Sequence, residues 1–308
     1  MKLNLKKLLA VALVGLLVLA GCSSGKDKEG GDKHKVYLVT MDQMDQHWVT
    51  LNGGAEKAAT ELGNVDFTWL APDVKDDAKQ IEAINNAISG GAEVILLAAN
   101  GPDAVTSALK EAESEGIKII YVDSAANYPG LQTLATDNEA AGKTAGLELI
   151  KALEAKGVTT GNVGVISTNS ATDSTNKRIA GFQEAFKGTD YTVLETQYGD
   201  GDVAKSKDIG TNFLTNGAVA LFGANEGSTV GAGNAIVEAG GEALAVGFDT
   251  SDTIKKLIKD GSLLATMVQN PDVMGYEGVK AAMKALAGDT LEDYVDTGVT
   301  VVNKDNVE

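Results

Sequence analysis

Residues 94–123 read VILLAANGPDAVTSALKEAESEGIKIIYVD, and this stretch decides the fold. Val94–Ala98 is an unbroken apolar run, as a strand covered on both faces requires. Asp103–Glu115 carries a helical period, and Gly116 stands where a left-handed cap would end that helix. Ile117–Val122 is a second apolar run, closed by Asp123. Strand, helix, strand with both strands apolar throughout predicts a parallel sheet between helices.

The same alternation extends in both directions. Upstream, Val36–Met41 and Val65–Ala71 predict strands, and His47–Leu62 and Asp76–Ser89 predict helices; Gly63 and Gly90 sit at the helix ends as candidate left-handed caps. Downstream, strands are expected over Val163–Ser167, Thr192–Thr196, Val219–Gly223, Ala243–Phe248 and Leu263–Val268. Helices are expected over Glu139–Ala155, Asn176–Phe186, Val203–Asn216, up to Ala239, Asp252–Lys259 and Asp272–Leu286. The fold class is therefore α/β, with two similar doubly wound, Rossmann-like parallel-sheet lobes. No Pro- or Gly-rich linker divides them, so strand-like crossings are expected to join them as a multi-strand hinge.

The first 34 residues have a different character. Lys2, Lys6 and Lys7 precede the apolar run Leu8–Ala20, the layout of a signal peptide over residues 1–21. The run is short for a membrane span. It ends in Leu19-Ala20-Gly21-Cys22, which looks like a bacterial lipobox, and Cys22 is the only cysteine of the chain. Cys22 is expected to be the lipidated N-terminus of the mature protein, anchoring it outside the cytoplasm to the cell membrane. A single cysteine excludes an intramolecular disulfide. Ser23–His34 holds no apolar residue and completes a flexible tether over residues 22–34.

Of 308 residues, 44% are hydrophobic, enough for a substantial core, and the formal net charge is −17. That charge argues against nucleic acid, which is bound through a basic surface. No catalytic constellation stands out. Of the two histidines, His34 falls in the tether and His47 stands alone; there is no GxSxG elbow and no P-loop. Gly231-Ala232-Gly233 reads as helix packing, and Asp249-Thr250-Ser251-Asp252 lacks the layout of a calcium loop. Asp73, Asp76 and Asp77 read as a solvated helix start. Neither an enzyme nor a cofactor or metal is expected.

Ligands of open parallel sheets bind beyond the carboxyl ends of the strands. There the chain places Asp42, Asp45, His47 and Trp48, then Asn100, Asp123, Asn169 and Asp173, and later Asn225, Asp249, Gln269 and Asn270. Carboxylates and amides at one edge suit a ligand rich in hydroxyls, and an aromatic face such as Trp48 suits the C–H face of a sugar ring. Each of these residues also has an ordinary use as a turn or cap.

The segments Ile119-Ile120-Tyr121-Val122-Asp123, Thr136-Asp137-Asn138 with Gly142, Arg178-Ile179-Ala180-Gly181-Phe182, Gly223-Ala224-Asn225-Glu226, Val246-Gly247-Phe248-Asp249 and Ala265-Thr266-Met267-Val268-Gln269-Asn270-Pro271 recur in order. In them the chain resembles the ribose/galactose type of periplasmic binding proteins, the type I sugar-binding family, over essentially everything after the tether. The resemblance implies that Asp123, Asn225, Asp249 and Gln269 line a sugar site. It also implies crossings near Asp137–Asn138, Gln269–Asn270 and Gly298. One lobe would comprise residues 35–137 and 270–297, the other 138–269 and 298–308.

The chain departs from the ribose binders at three places. They carry two phenylalanines where it has His47-Trp48, and an arginine where it has Ser124. They carry a second-lobe arginine where it has Asn176, and two registers stay open there, Asn176 itself or Arg178 two residues on. Asn176 and Arg178 both count as candidate ligand residues, and a hexose or cyclitol is expected to bind better than ribose. The implied partners are a small polar ligand, expected to be a monosaccharide, and the permease of an ABC importer. A sensor lipoprotein that presents its ligand to a chemoreceptor or sensor kinase, or a nucleoside or cyclitol binder, would use the same fold.

Overall fold

The computed structural model describes residues 33–308. The signal segment, Cys22 and the polar stretch to residue 32 lie outside the described residues. The first run of elements is β1 (His34–Val39), α1 (Gln46–Leu62), β2 (Val65–Leu70), α2 (Asp77–Ser89), β3 (Val94–Leu97), α3 (Thr106–Ser114), β4 (Lys118–Val122) and β5 (Thr133–Ala135). The second is α4 (Asn138–Ala155), β6 (Gly161–Ser167), α5 (Asp173–Ala185), β7 (Tyr191–Val193), β8 (Gln197–Tyr198), α6 (Val203–Thr215), β9 (Ala218–Gly223), α7 (Glu226–Glu238), β10 (Leu244–Phe248), α8 (Asp252–Asp260) and β11 (Ala265–Gln269). The chain closes with α9 (Pro271–Ala287), β12 (Tyr294–Asp296) and β13 (Val299–Asn303).

These strands form two sheets. The first is six-stranded, in the order β12-β5-β4-β3-β1-β2, and the second seven-stranded, in the order β13-β11-β10-β9-β6-β7, with β8 pairing beside β6. Neighbours run parallel except β11 and β13. The expected α/β fold with two parallel-sheet lobes is therefore present. Helices cover both faces of each sheet, which is why β3 and β10 are buried at every residue. The chain passes between the sheets three times: from β5 to α4, from β11 to α9, and from β12 to β13.

Helix ends follow local chemistry. Asp45 caps α1 by accepting from the His47 backbone N–H, and Gly63 ends the helix at φ 73°. At the end of α2 the left-handed residue is Gly91 (φ 75°), not the expected Gly90 (φ −72°). Helix α5 begins three residues before the expected Asn176, because Asn169 Oδ1 accepts from the backbone N–H groups of Ala171 and Thr172 and turns the chain early. His34 is not part of a tether. It opens β1, donates its backbone N–H to Asn64 O at 2.9 Å and places its ring 3.1 Å from Glu93, so a polar residue is ordered by sheet pairing.

Two helix pairs pack at backbone distance. A Cβ on Gly54 of α1 would lie 2.0 Å from the Asp272 carbonyl oxygen in α9, and one on Gly142 of α4 would lie 2.0 Å from the Arg178 carbonyl oxygen in α5. Gly231 likewise brings α7 against the backbone of α6 at Ser206 and Lys207, while Gly233 makes room for the Leu257 side chain, as their position in a helix pattern suggested. None of the described helices is long and apolar enough to cross a membrane.

Candidate functional site

The carboxyl ends of the two sheets face each other across a narrow, polar-walled cavity. The first lobe contributes Met41, Asp45, His47, Trp48, Lys75 and Asp123. The second contributes Thr168, Thr172, Ser174, Thr175, Arg178, Asn225 and Asp249, and Gln269 comes from the end of β11, at a crossing.

The charges in the wall alternate. His47 Nε2 donates to Asp123 Oδ2 at 3.0 Å, and its Nδ1 stands 3.5 Å from Asp249 Oδ1 in the other lobe. Arg178 stands 3.9 Å from both Asp123 and Asp249. Its guanidinium is held by Asn138 Oδ1 at 2.7 Å and the Ala224 carbonyl at 2.9 Å, and it lies over the Phe248 ring. Lys75 joins Asp42 at 2.8 Å and Asp45 at 3.1 Å. Burial alone would lower the His47 pKa; the hydrogen bond and charge of Asp123, with Asp249 and Asp45 nearby, raise it instead. Burial would raise the Asp45 pKa, but the Lys75 ammonium holds that carboxyl well below the usual range. Across the cleft mouth, burial and then the Asp45 carboxylate push Glu226 up to about 9.

Four polar atoms in the wall have no protein partner: Trp48 Nε1, Thr168 Oγ1, Asn225 Nδ2 and Gln269 Oε1. Their residues are 3%, 2%, 6% and 4% exposed. Native interiors pair such atoms, so four around one cavity mark a place where a polar molecule completes the bonding. Their remaining bonds hold them still. Asn225 Oδ1 caps α7 through Ser228, and Gln269 Nε2 donates to Asp249 Oδ1 at 2.5 Å.

Of the candidates read from the sequence, Asp45, His47, Trp48, Asp123, Arg178, Asn225, Asp249 and Gln269 line this cavity. Three do not. Asp42 turns away, accepting from the backbone N–H groups of Met44 and Asp45 and holding Lys75. Asn100 is buried against the other lobe, its amide pinned by Asp77 Oδ1 at 2.5 Å; Asp77 is thus not merely a solvated helix start. Asn176 points away and donates to the Ser170 carbonyl, because a helical step of two residues puts it on the opposite side of α5 from Arg178. Arg178 occupies the register left open. Ser124 also stays out of the cavity. Trp48 contributes its N–H as well as ring surface, set edge-on to His47. Lys75 and the hydroxyls of Thr168, Thr172, Ser174 and Thr175 were not read from the sequence. Serine and threonine occur throughout the chain, and Lys75 sits five residues past the end of β2, beyond the residues next to the strand end.

Two Rossmann-like lobes facing each other across a polar cavity define a two-lobed solute receptor. Residues 36–290 match the family described as "Periplasmic binding protein domain", and the chain belongs to that family. It is 31% identical over 304 residues to the ribose import binding protein RbsB of Haemophilus influenzae, covering 97% of this chain and 100% of that one. It is 26% identical over 311 residues to the D-ribose/D-allose-binding protein of Pseudomonas aeruginosa, covering 95% and 96%. Among solved structures, an ABC transporter solute binding protein from Agrobacterium vitis with bound D-fucose superposes with a TM-score of 0.84 at 30% identity, covering 89% of this chain and 97% of that one.

Proposed function

We propose that this protein captures a monosaccharide between its lobes outside the cytoplasm and delivers it to an ABC importer. The four unpartnered polar atoms around one cavity carry this reading. Two are donors, one is an acceptor and one is a hydroxyl, a set that hydroxyl groups satisfy and apolar ligands do not. Asp123 and Asp249 add acceptors from opposite lobes, so a ligand that bonds both favours closure. The names of the relatives support the transport role.

In this reading residues 35–137 with 270–297 form one lobe and 138–269 with 298–308 the other, and the three crossings are the hinge. Cys22 carries acyl chains that hold the receptor at the membrane. The placement of Arg178 removes one reason to disfavour ribose, since a guanidinium fork is available for sugar hydroxyls. The more polar wall of His47 and Trp48 still favours a ligand with more hydroxyls than ribose.

A thermal-shift screen with D-ribose, D-allose, D-arabinose, D-fucose, D-glucose, D-galactose and myo-inositol tests the reading. A ligand at a hundred times its Kd stabilises by about 2.7 kcal/mol, a shift of several degrees. No shift with any of these compounds would overturn the sugar assignment.

A further inference from the structure

Along one edge of the cleft the lobes touch through neutral groups rather than charges. Thr172 Oγ1 of the second lobe donates to the Asn100 carbonyl of the first at 2.7 Å. Beside it, Ser124 Oγ and Ser174 Oγ lie 3.2 Å apart, and the Ser174 backbone N–H donates to Ser124 Oγ at 3.3 Å. Both contacts are buried, with Ser124 at 0% and Thr172 at 1% exposure.

Each half is built in advance by its own lobe. The Asn100 backbone N–H donates to Gln80 Oε1 at 2.9 Å, and Gln80 Nε2 is itself held by the Thr40 and Ala98 carbonyls. Opposite, Asn169 Oδ1 fixes the Thr172 N–H at 2.9 Å. Asn100 and Ser124 lie outside the sugar cavity, whereas Thr172 and Ser174 reach it. A hydrogen bond between prearranged groups costs little ordering entropy when it forms.

We infer that Asn100 and Ser124 are positioning residues: without touching the ligand themselves, they form with Thr172 and Ser174 a clasp that stabilises the closed arrangement. The inference rests on the sugar-receptor reading above. Such a clasp multiplies the affinity for every ligand by one factor, since apparent affinity scales with the competent fraction whatever the ligand is. Residues in contact with the sugar change affinity ligand by ligand instead.

Ser124→Ala removes the clasp hydroxyl at a site the ligand does not touch. Calorimetry and stopped-flow with D-ribose, D-allose, D-arabinose and D-fucose should give affinities about three- to tenfold weaker, in line with one buried neutral hydrogen bond. The factor should be the same for each sugar bound, with faster release and an unchanged association rate. Unchanged affinity, or a loss that differs severalfold between sugars, would overturn the inference. A cysteine pair, Ser124→Cys with Ser174→Cys in a Cys22→Ser background, gives a second measurement. Under mild oxidation it should cross-link, faster with bound sugar, and the oxidised protein should retain its sugar through dialysis until reduced. Persistently free thiols by mass spectrometry would overturn the clasp. If the unaltered protein binds none of the sugars, the receptor reading fails, while cross-linking still reports whether these edges meet.

Discussion

Asp123 and Asp249 occupy equivalent corners of the two lobes and share one imidazole. Each follows the last residue of a buried strand, β4 or β10. Each has a left-handed backbone, with φ 64° and 72°. Each donates its N–H to the next strand, Asp123 to Leu134 O at 2.8 Å and Asp249 to Met267 O at 2.9 Å. Left-handed geometry is uncommon for residues other than glycine, and aspartate tolerates it better than most. His47 links the two corners across the cleft.

This geometry selects the substitution that tests Asp249. Alanine would remove the carboxylate but also strain the left-handed turn, whereas asparagine keeps both shape and backbone preference. Asp249→Asn should weaken sugar binding about ten- to a hundredfold, the worth of a charge-assisted hydrogen bond of roughly 1.5–3 kcal/mol. Calorimetry reads the affinity, and circular dichroism should be unchanged. Near-normal affinity would reduce Asp249 to a turn residue.

Affinity should fall as pH rises. Glu226 has an ordinary value near 4.5 where it faces water and about 9 where it meets Asp45 in the closed cleft. The closed form therefore holds a proton that the open form releases. Its contribution to closure is complete below about 4.5 and is lost as pH rises towards about 9. His47 adds to this only through Asp249, the one acid from the opposite lobe among those that raise its value. Calorimetry in buffers of different ionisation enthalpy should detect proton uptake on binding at neutral pH. Glu226→Gln should reduce it; an unchanged uptake would assign the proton elsewhere.

Thr168→Val separates binding from stability. Thr168 Oγ1 is buried without a partner, so the protein alone gains nothing from it. Valine has nearly the same shape and no orphaned oxygen. Unfolding stability should stay level or rise, because a desolvated hydroxyl is removed. Sugar affinity should drop about fivefold, one neutral hydrogen bond. Lower stability with intact affinity would contradict this role.

Gly142→Ala should damage the site from a distance. Its new methyl would meet the Arg178 carbonyl oxygen at 2.0 Å and push α5 away from α4. Overpacking of this kind costs about 1–3 kcal/mol, readable in urea unfolding. Binding should weaken with it, because Arg178 is carried on the displaced backbone. Full stability in the variant would mean that the two helices can separate freely.

Cys22→Ala should abolish fatty-acid labelling of the protein in cells without altering the sugar affinity of the purified protein. Label retained in the variant would refute the anchor.

The fold was legible because strands buried on both faces leave long apolar runs, and β3, β4, β9 and β10 all do. Strands β5, β8 and β12 were not, since each has three residues or fewer and is fixed by its neighbours rather than by its own composition. Asp123, Asn225 and Asp249 were found because strand ends mark one edge of a sheet. That rule cannot tell which way a side chain turns, and so it also collected Asp42 and Asn100. Asn176 and Arg178 differ by half a helical turn, a distinction that depends on where α5 starts, and Asn169 decides that through a turn.

The three passages between the sheets bear on how the protein is made. Helix α9 and strand β12 belong with the first sheet yet are encoded near the end of the chain. Until they emerge, α1 lacks the helix that buries Met274 and Val279 in its core, and β5 has an open edge. The first lobe therefore lacks this packing until α9 and β12 are present, however early its other strands appear. Its last packing partners arrive only when almost the whole polypeptide has been made.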